Sequence, residues 1–164
     1  MSFIDISTAL ANVALALTFI VGLIFGIAQV KDAERNRRER LTLATIESFQ
    51  TRGFAELMEF VTNAEFPTTE KELDELPVRE RVMYIEFAQK MESLGILVAE
   101  NLIDLDLVDK ILGSFVLTTW QKYKTVFSAV RARDPFLGEY FQWLAERIEE
   151  RAATPRKPFY QNQK

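Results

Sequence analysis

The chain has neither histidine nor cysteine in its 164 residues. Without histidine there is no imidazole base and no histidine-held metal. Without cysteine there is no thiol nucleophile, no disulfide and no thiolate zinc site. Any chemistry would have to run on carboxylates, lysine or tyrosine. Glycine (6) and proline (5) are sparse, which together with the absence of strand-like alternation favours an all-helical chain. An excess of positive charge is missing too. Twenty Lys and Arg against 24 Asp and Glu leave a net charge of −4, which argues against a broad nucleic-acid surface. There is no glycine-rich phosphate loop, no G-x-S-x-G and no supported Ser–Lys arrangement.

What is present is a long uncharged run. Ile6 to Val30 carries no charge for 25 residues, between Asp5 and Lys31. As a helix at ~1.5 Å per residue it would be about 37 Å long, against ~30 Å for a hydrocarbon core. It has no continuous polar face, as a core helix of that length would. A cleavable signal peptide would need a basic start, a shorter apolar core and a small-residue cleavage site. Residues 1–30 are therefore expected to be an uncleaved membrane anchor whose partner is lipid.

Lys31, Arg35, Arg37, Arg38 and Arg40 form a topogenic collar at the C-terminal end of this run. The positive-inside rule then puts the N-terminus outside and everything after Lys31 in the cytoplasm. Residues 31–40 are expected to continue the helix as a charged juxtamembrane segment. Within the run, Ala14, Thr18, Gly22 and Gly26 recur every four residues as a small-residue face, with Gly22 and Gly26 as a GxxxG element. Such a face suits helix pairing, hence a homo-oligomer.

From Leu41 the spacing is helical. Leu41, Ala44, Thr45, Ser48 and Phe49 form a modest stripe, and Phe54, Leu57, Met58 and Val61 a clear one. Thr69 with Glu72 reads as a capping box for a short acidic helix. Tyr84, Phe87, Met91, Leu94, Gly95 and Val98 share one face. Asp104 is the expected N-cap of the next helix, which Gly113 is expected to bend or end. Val116, Trp120, Tyr123 and Phe127 continue the spacing until Pro135 in "RDPF" stops it. A last helix places Tyr140, Phe141, Leu144 and Ile148 inward. The expected fold is all-α: one transmembrane helix, then a cytoplasmic bundle of about five or six helices over residues 41–153, then a disordered tail, 154–164.

Candidate sites weigh little against bland readings. Asp104, Asp106 and Asp109 fail as a calcium loop, because Val108 and Asp109 occupy positions that need a ligand and a glycine. Glu70, Glu72, Asp74 and Glu75 read as solvated surface. A helix–turn–helix across "AENLID" would have an acidic second helix, so nucleic acid is not an expected partner. No catalytic residue, cofactor site or metal site is assigned.

The stretch "SLGILVAENLIDLDLVDKILG", then Trp120, then "RARDP" and "YFQWLAERI", resembles the bacterial domain-of-unknown-function family numbered 4760. The resemblance covers Leu41 to Arg151 and rests on Gly95, Leu102, Ile103, Asp104, Trp120, Arg131, Pro135, Tyr140 and Trp143. It implies one N-terminal membrane helix, a helical domain with an aromatic-rich second half and a bacterial inner-membrane location. It brings no activity, cofactor or mechanism. The expectation is a membrane-anchored cytoplasmic protein of unknown activity, working as an interaction or regulatory module on an unidentified protein partner. The alternative is a membrane-tethered enzyme using carboxylate or Lys/Tyr chemistry on a lipid or small molecule.

Overall fold

A computed structural model describes residues 3–152, with the side chains of Thr8 and of residues 10–152. Six helices and no strand occupy the described residues: α1 (Phe3–Phe49), α2 (Arg52–Asn63), α3 (Glu70–Glu75), α4 (Val78–Ala99), α5 (Leu105–Val130) and α6 (Glu139–Ala152). The expected tail, 154–164, lies outside the described residues. The chain divides into two compact units, Met1–Arg40 and Leu41–Lys164.

The first unit is helix throughout its described length. Helix α1 is long and apolar enough to cross a membrane, with a mean hydropathy of 2.4 in its most apolar stretch. From Leu10 to Val30 its large apolar side chains are exposed. No proline or glycine interrupts Lys31 to Phe49, so the helix runs on through the charged segment. Arg35 and Glu39 pair at 3.0 Å, one turn apart.

The second unit begins with the last turns of α1, so Leu41–Phe49 is not a helix of its own. The inward residues there differ from the expected stripe. Thr42 and Ile46 are buried, while Ala44 and Ser48 face solvent. A weak stripe leaves the rotation of a helix undecided, and packing chose a neighbouring face. The break follows at Gln50–Thr51, where the Thr51 hydroxyl accepts from the Phe54 N–H (3.2 Å) and starts α2.

Helices α4 and α6 form the most extensive contact, followed by α5 with α6. Phe87 on α4 is fully buried and touches four rings: Phe54 (α2), Phe115 and Tyr123 (α5), and Phe141 (α6). Burying one such side chain contributes about 1.5–3 kcal/mol, so this cluster ties four helices together. The turns are specified as well. Helix α4 ends in a Schellman motif, with Asn101 at φ 55°, Leu102 N–H on the Leu97 carbonyl (2.9 Å) and Asn101 N–H on that of Val98 (3.0 Å). Asp104 then caps α5 through the N–H groups of Asp106 (2.7 Å) and Leu107 (3.4 Å). The capping box of Thr69 and Glu72 is present. Gly113 does not end α5, which runs through it to Val130; it sits in mid-helix against Ile148 of α6.

Candidate functional site

The second unit carries an open apolar pocket of about 230 Å³. Helix α4 supplies Tyr84, Ile85, Ala88, Gln89 and Glu92, and α5 supplies Tyr123, Val126, Phe127 and Val130. Phe66, Leu73, Leu137 and Gly138 complete the lining.

The polar groups at this pocket are committed to structure. The Tyr123 hydroxyl donates to the Tyr84 carbonyl (2.9 Å), and the Tyr84 hydroxyl donates to the Glu65 carbonyl (2.9 Å). Burial pushes both phenols above their ordinary value of 10.0, with the Glu80 charge adding to the effect at Tyr84. They stay neutral donors at physiological pH and are poor bases or nucleophiles. The Glu92 carboxylate accepts the N–H groups of Tyr140 (3.1 Å) and Phe141 (2.8 Å). Helix α6 lacks an N-cap side chain of its own, so α4 caps it from across the interface. An acid–base mechanism needs a free ionisable group beside the substrate. Here the one pocket carboxylate holds a helix end.

The wall made by Leu137 and Gly138 is braced. Arg131 donates through Nε to the Leu137 carbonyl (2.8 Å), through Nη2 to the Gly138 carbonyl (3.1 Å), and through Nη1 to the Gln142 side chain. Its guanidinium lies 5.9 Å from the centre of the Trp120 ring. Gly138 has φ +66°, and a Cβ there would stand 2.1 Å from the Phe127 ring. Only glycine meets both demands.

Ala14, Thr18, Gly22 and Gly26 all lie exposed along α1. The Thr18 hydroxyl donates to the Ala14 carbonyl (2.9 Å), and no atom lies within 4 Å of where a Cβ would stand at Gly22 or Gly26. Of the collar, Lys31, Arg35, Arg37 and Arg40 are exposed and Arg38 is half-buried. Asp106 pairs with Lys110 and Arg151, and Asp109 lies 3.7 Å from Arg151. Among the described residues no three acidic side chains gather as a metal site requires. The pocket went unseen in the sequence. Its one signal was Ile85, an apolar residue off the buried face of α4; Val78 and Val82, exposed on the same strip, lie outside the lining.

The family model described as a domain of unknown function, DUF4760, matches residues 16–148. The chain belongs to the DUF4760 family. The match starts inside the apolar part of α1 rather than at Leu41, so the DUF4760 pattern includes the second half of that run. No curated protein and no solved structure matches the chain. The residues that carried the resemblance now have physical roles. Gly95 sets the α4–α6 crossing, Asp104 caps α5, and Ile103 is buried beside that cap. Trp120 and Arg131 brace the α5–α6 turn, while Trp143 lies 6.0 Å from the Arg147 guanidinium. These contacts hold the fold together.

Proposed function

We propose that this DUF4760 protein is a membrane-anchored interaction module of the bacterial inner membrane. Helix α1 spans the bilayer, the collar Lys31, Arg35, Arg37, Arg38 and Arg40 holds its C-terminal end on the cytoplasmic side, and the second unit binds protein through its apolar pocket face. The observation that carries the binding reading is the pocket itself. It is open and apolar, and its Tyr84, Tyr123 and Glu92 groups are already engaged. Such a surface recognises shape and apolar area. The small face Ala14, Thr18, Gly22 and Gly26 adds pairing of anchors within the membrane.

Topology is tested by fusing reporters after Lys164. A cytoplasm-only reporter should be active; activity of an exported reporter alone would reverse the orientation. The binding reading is tested by Ile85→Glu, which puts a charge at the half-exposed rim of the pocket. Chemical cross-linking in intact membranes should give a protein adduct with the wild-type chain and lose it in the variant. An adduct that survives Ile85→Glu would move the binding surface elsewhere.

A further inference from the structure

Phe136 is 73 % exposed, the most exposed large apolar side chain among the described residues. It does not sit on a loose loop. Its N–H donates to Asp134 Oδ1 (3.1 Å), the Leu137 N–H donates to the Asp134 carbonyl (3.2 Å), and Arg131 grips the carbonyls of Leu137 and Gly138. The turn therefore presents a ring outward in a fixed place, which lowers the ordering cost of a contact. The next two residues, Leu137 and Gly138, are walls of the pocket. Beyond that pocket the strip Val78, Val82 and Ile85 continues the exposed apolar surface along α4. Knob and hole thus lie on neighbouring parts of one face.

Size and charge both fit them to each other. An apolar cavity of ~150 Å³ accepts benzene, so about 230 Å³ takes a phenyl ring. On the tip, Arg133 is paired with Glu70, which leaves the carboxylates of Asp134 and Glu139. On the strip, Glu86 is paired with Lys90, and Glu80 stands between the guanidiniums of Arg79 and Arg81, of which Arg81 also donates to the Asp74 carbonyl (2.8 Å), so the strip keeps a net positive charge. An acidic tip faces a basic strip when two copies meet head to side. Because each copy carries both halves, the contact is satisfied twice about one two-fold axis and closes.

We propose that Phe136 of one copy seats in the pocket of a second copy, with Asp134 and Glu139 against Arg79 and Arg81. This rests on the reading that the second unit works by protein contact, and it names the partner. Two aromatic side chains at ~150–250 Å² each, with two α4 strips, reach only the low end of specific interfaces, near ~1,200 Å² in total. Confinement of both copies to one membrane supplies the effective concentration that such a contact needs. An anionic lipid surface is a poor occupant, since the tip that would enter it is acidic.

The test uses the full chain in native membranes, in two differently tagged copies. A photoreactive phenylalanine analogue replaces Phe136 in one. Illumination should join the two tags, and mass spectrometry should map the adduct to Val78–Gln89 of the other copy. Asp134→Lys with Glu139→Lys should lower the adduct at least tenfold, and Arg79→Glu with Arg81→Glu in the other copy should restore it. An adduct within one chain, to lipid or to a different protein overturns the proposal, as does a charge swap without rescue. Sedimentation of the same membranes separates the two readings. A chain absent from the membrane fraction defeats the anchor, whereas a membrane-bound chain without the inter-copy adduct defeats this contact alone.

Discussion

Gly95 and Tyr140 meet backbone to backbone where α4 crosses α6: a Cβ on residue 95 would lie 2.3 Å from the Tyr140 carbonyl oxygen and 2.6 Å from its carbon. A carbonyl in a helix cannot rotate aside as a side-chain tip can. Gly95→Ala must therefore push the two helices apart along their largest shared surface. The expected loss is about 3 kcal/mol, read as a thermal midpoint lower by roughly 10 °C. Gly53→Ala, with open space around residue 53, should leave the midpoint unchanged or slightly raised. Equal effects of the two substitutions would remove the close crossing as the cause.

Glu92 on α4 stands in for the missing cap of α6. Glu92→Ala should uncap the Tyr140 and Phe141 N–H groups and cost about 1–2 kcal/mol. Glu92→Gln keeps one acceptor oxygen without the charge and should lose roughly half as much. Hydrogen exchange gives the sharper readout, because faster exchange should concentrate in the first turn of α6. Uniform acceleration across α4 and α5 instead would mean that the residue serves general packing.

Tyr84 and Tyr123 predict an alkaline limb. Their folded-state values lie above the unfolded value of 10.0, so the folded protein retains phenol protons that the unfolded chain releases. Their contribution is fully present below pH 10 and is lost progressively as pH rises above it. Urea midpoints measured across that range should fall steeply for the wild-type chain and less steeply for Tyr123→Phe. At neutral pH the same substitution should cost about 1 kcal/mol, since the Tyr84 carbonyl loses a buried donor. Parallel alkaline profiles for the two proteins would contradict this assignment.

Glu72 works with the opposite sign. Hydrogen bonds from the backbone and hydroxyl of Thr68, with those of Thr69, hold its carboxyl below the ordinary 4.5. Its stabilisation of α3 is present above that value and fades as pH falls through it. Carbon-detected titration should show Glu72 protonating below the ordinary 4.5, and Thr68→Val should raise its midpoint. An unshifted Glu72 would leave the capping box without its electrostatic role.

The small face of α1 has its own test. Gly22→Leu with Gly26→Leu should abolish cross-linking between anchors placed in a membrane, because two leucines keep the backbones apart. Persistence of that cross-link would free Gly22 and Gly26 from any pairing role.

Much of this molecule was legible as sequence because the signals are local. An uncharged run of 25 residues followed by a basic cluster needs no partner to be recognised. Capping residues such as Thr69 and Asp104 act on N–H groups two or three positions away, and apolar residues at helical spacing identify a buried face by themselves. Gly113 and the stripe of Ala44 and Ser48 show where that locality ends. A glycine marks a break only if nothing packs against it, and a weak stripe leaves the rotation of a helix open. Ile148 decided the first and the burial of Thr42 and Ile46 the second. Glu92 capping a helix 48 residues away, Arg131 bracing the turn beyond α5, and the pocket between them depend on groups distant in the chain. Pattern and charge along the chain determined an all-helical protein with an apolar N-terminal helix. Which side chains face one another across helix interfaces, and which apolar residues are left without cover, arose only when those helices packed.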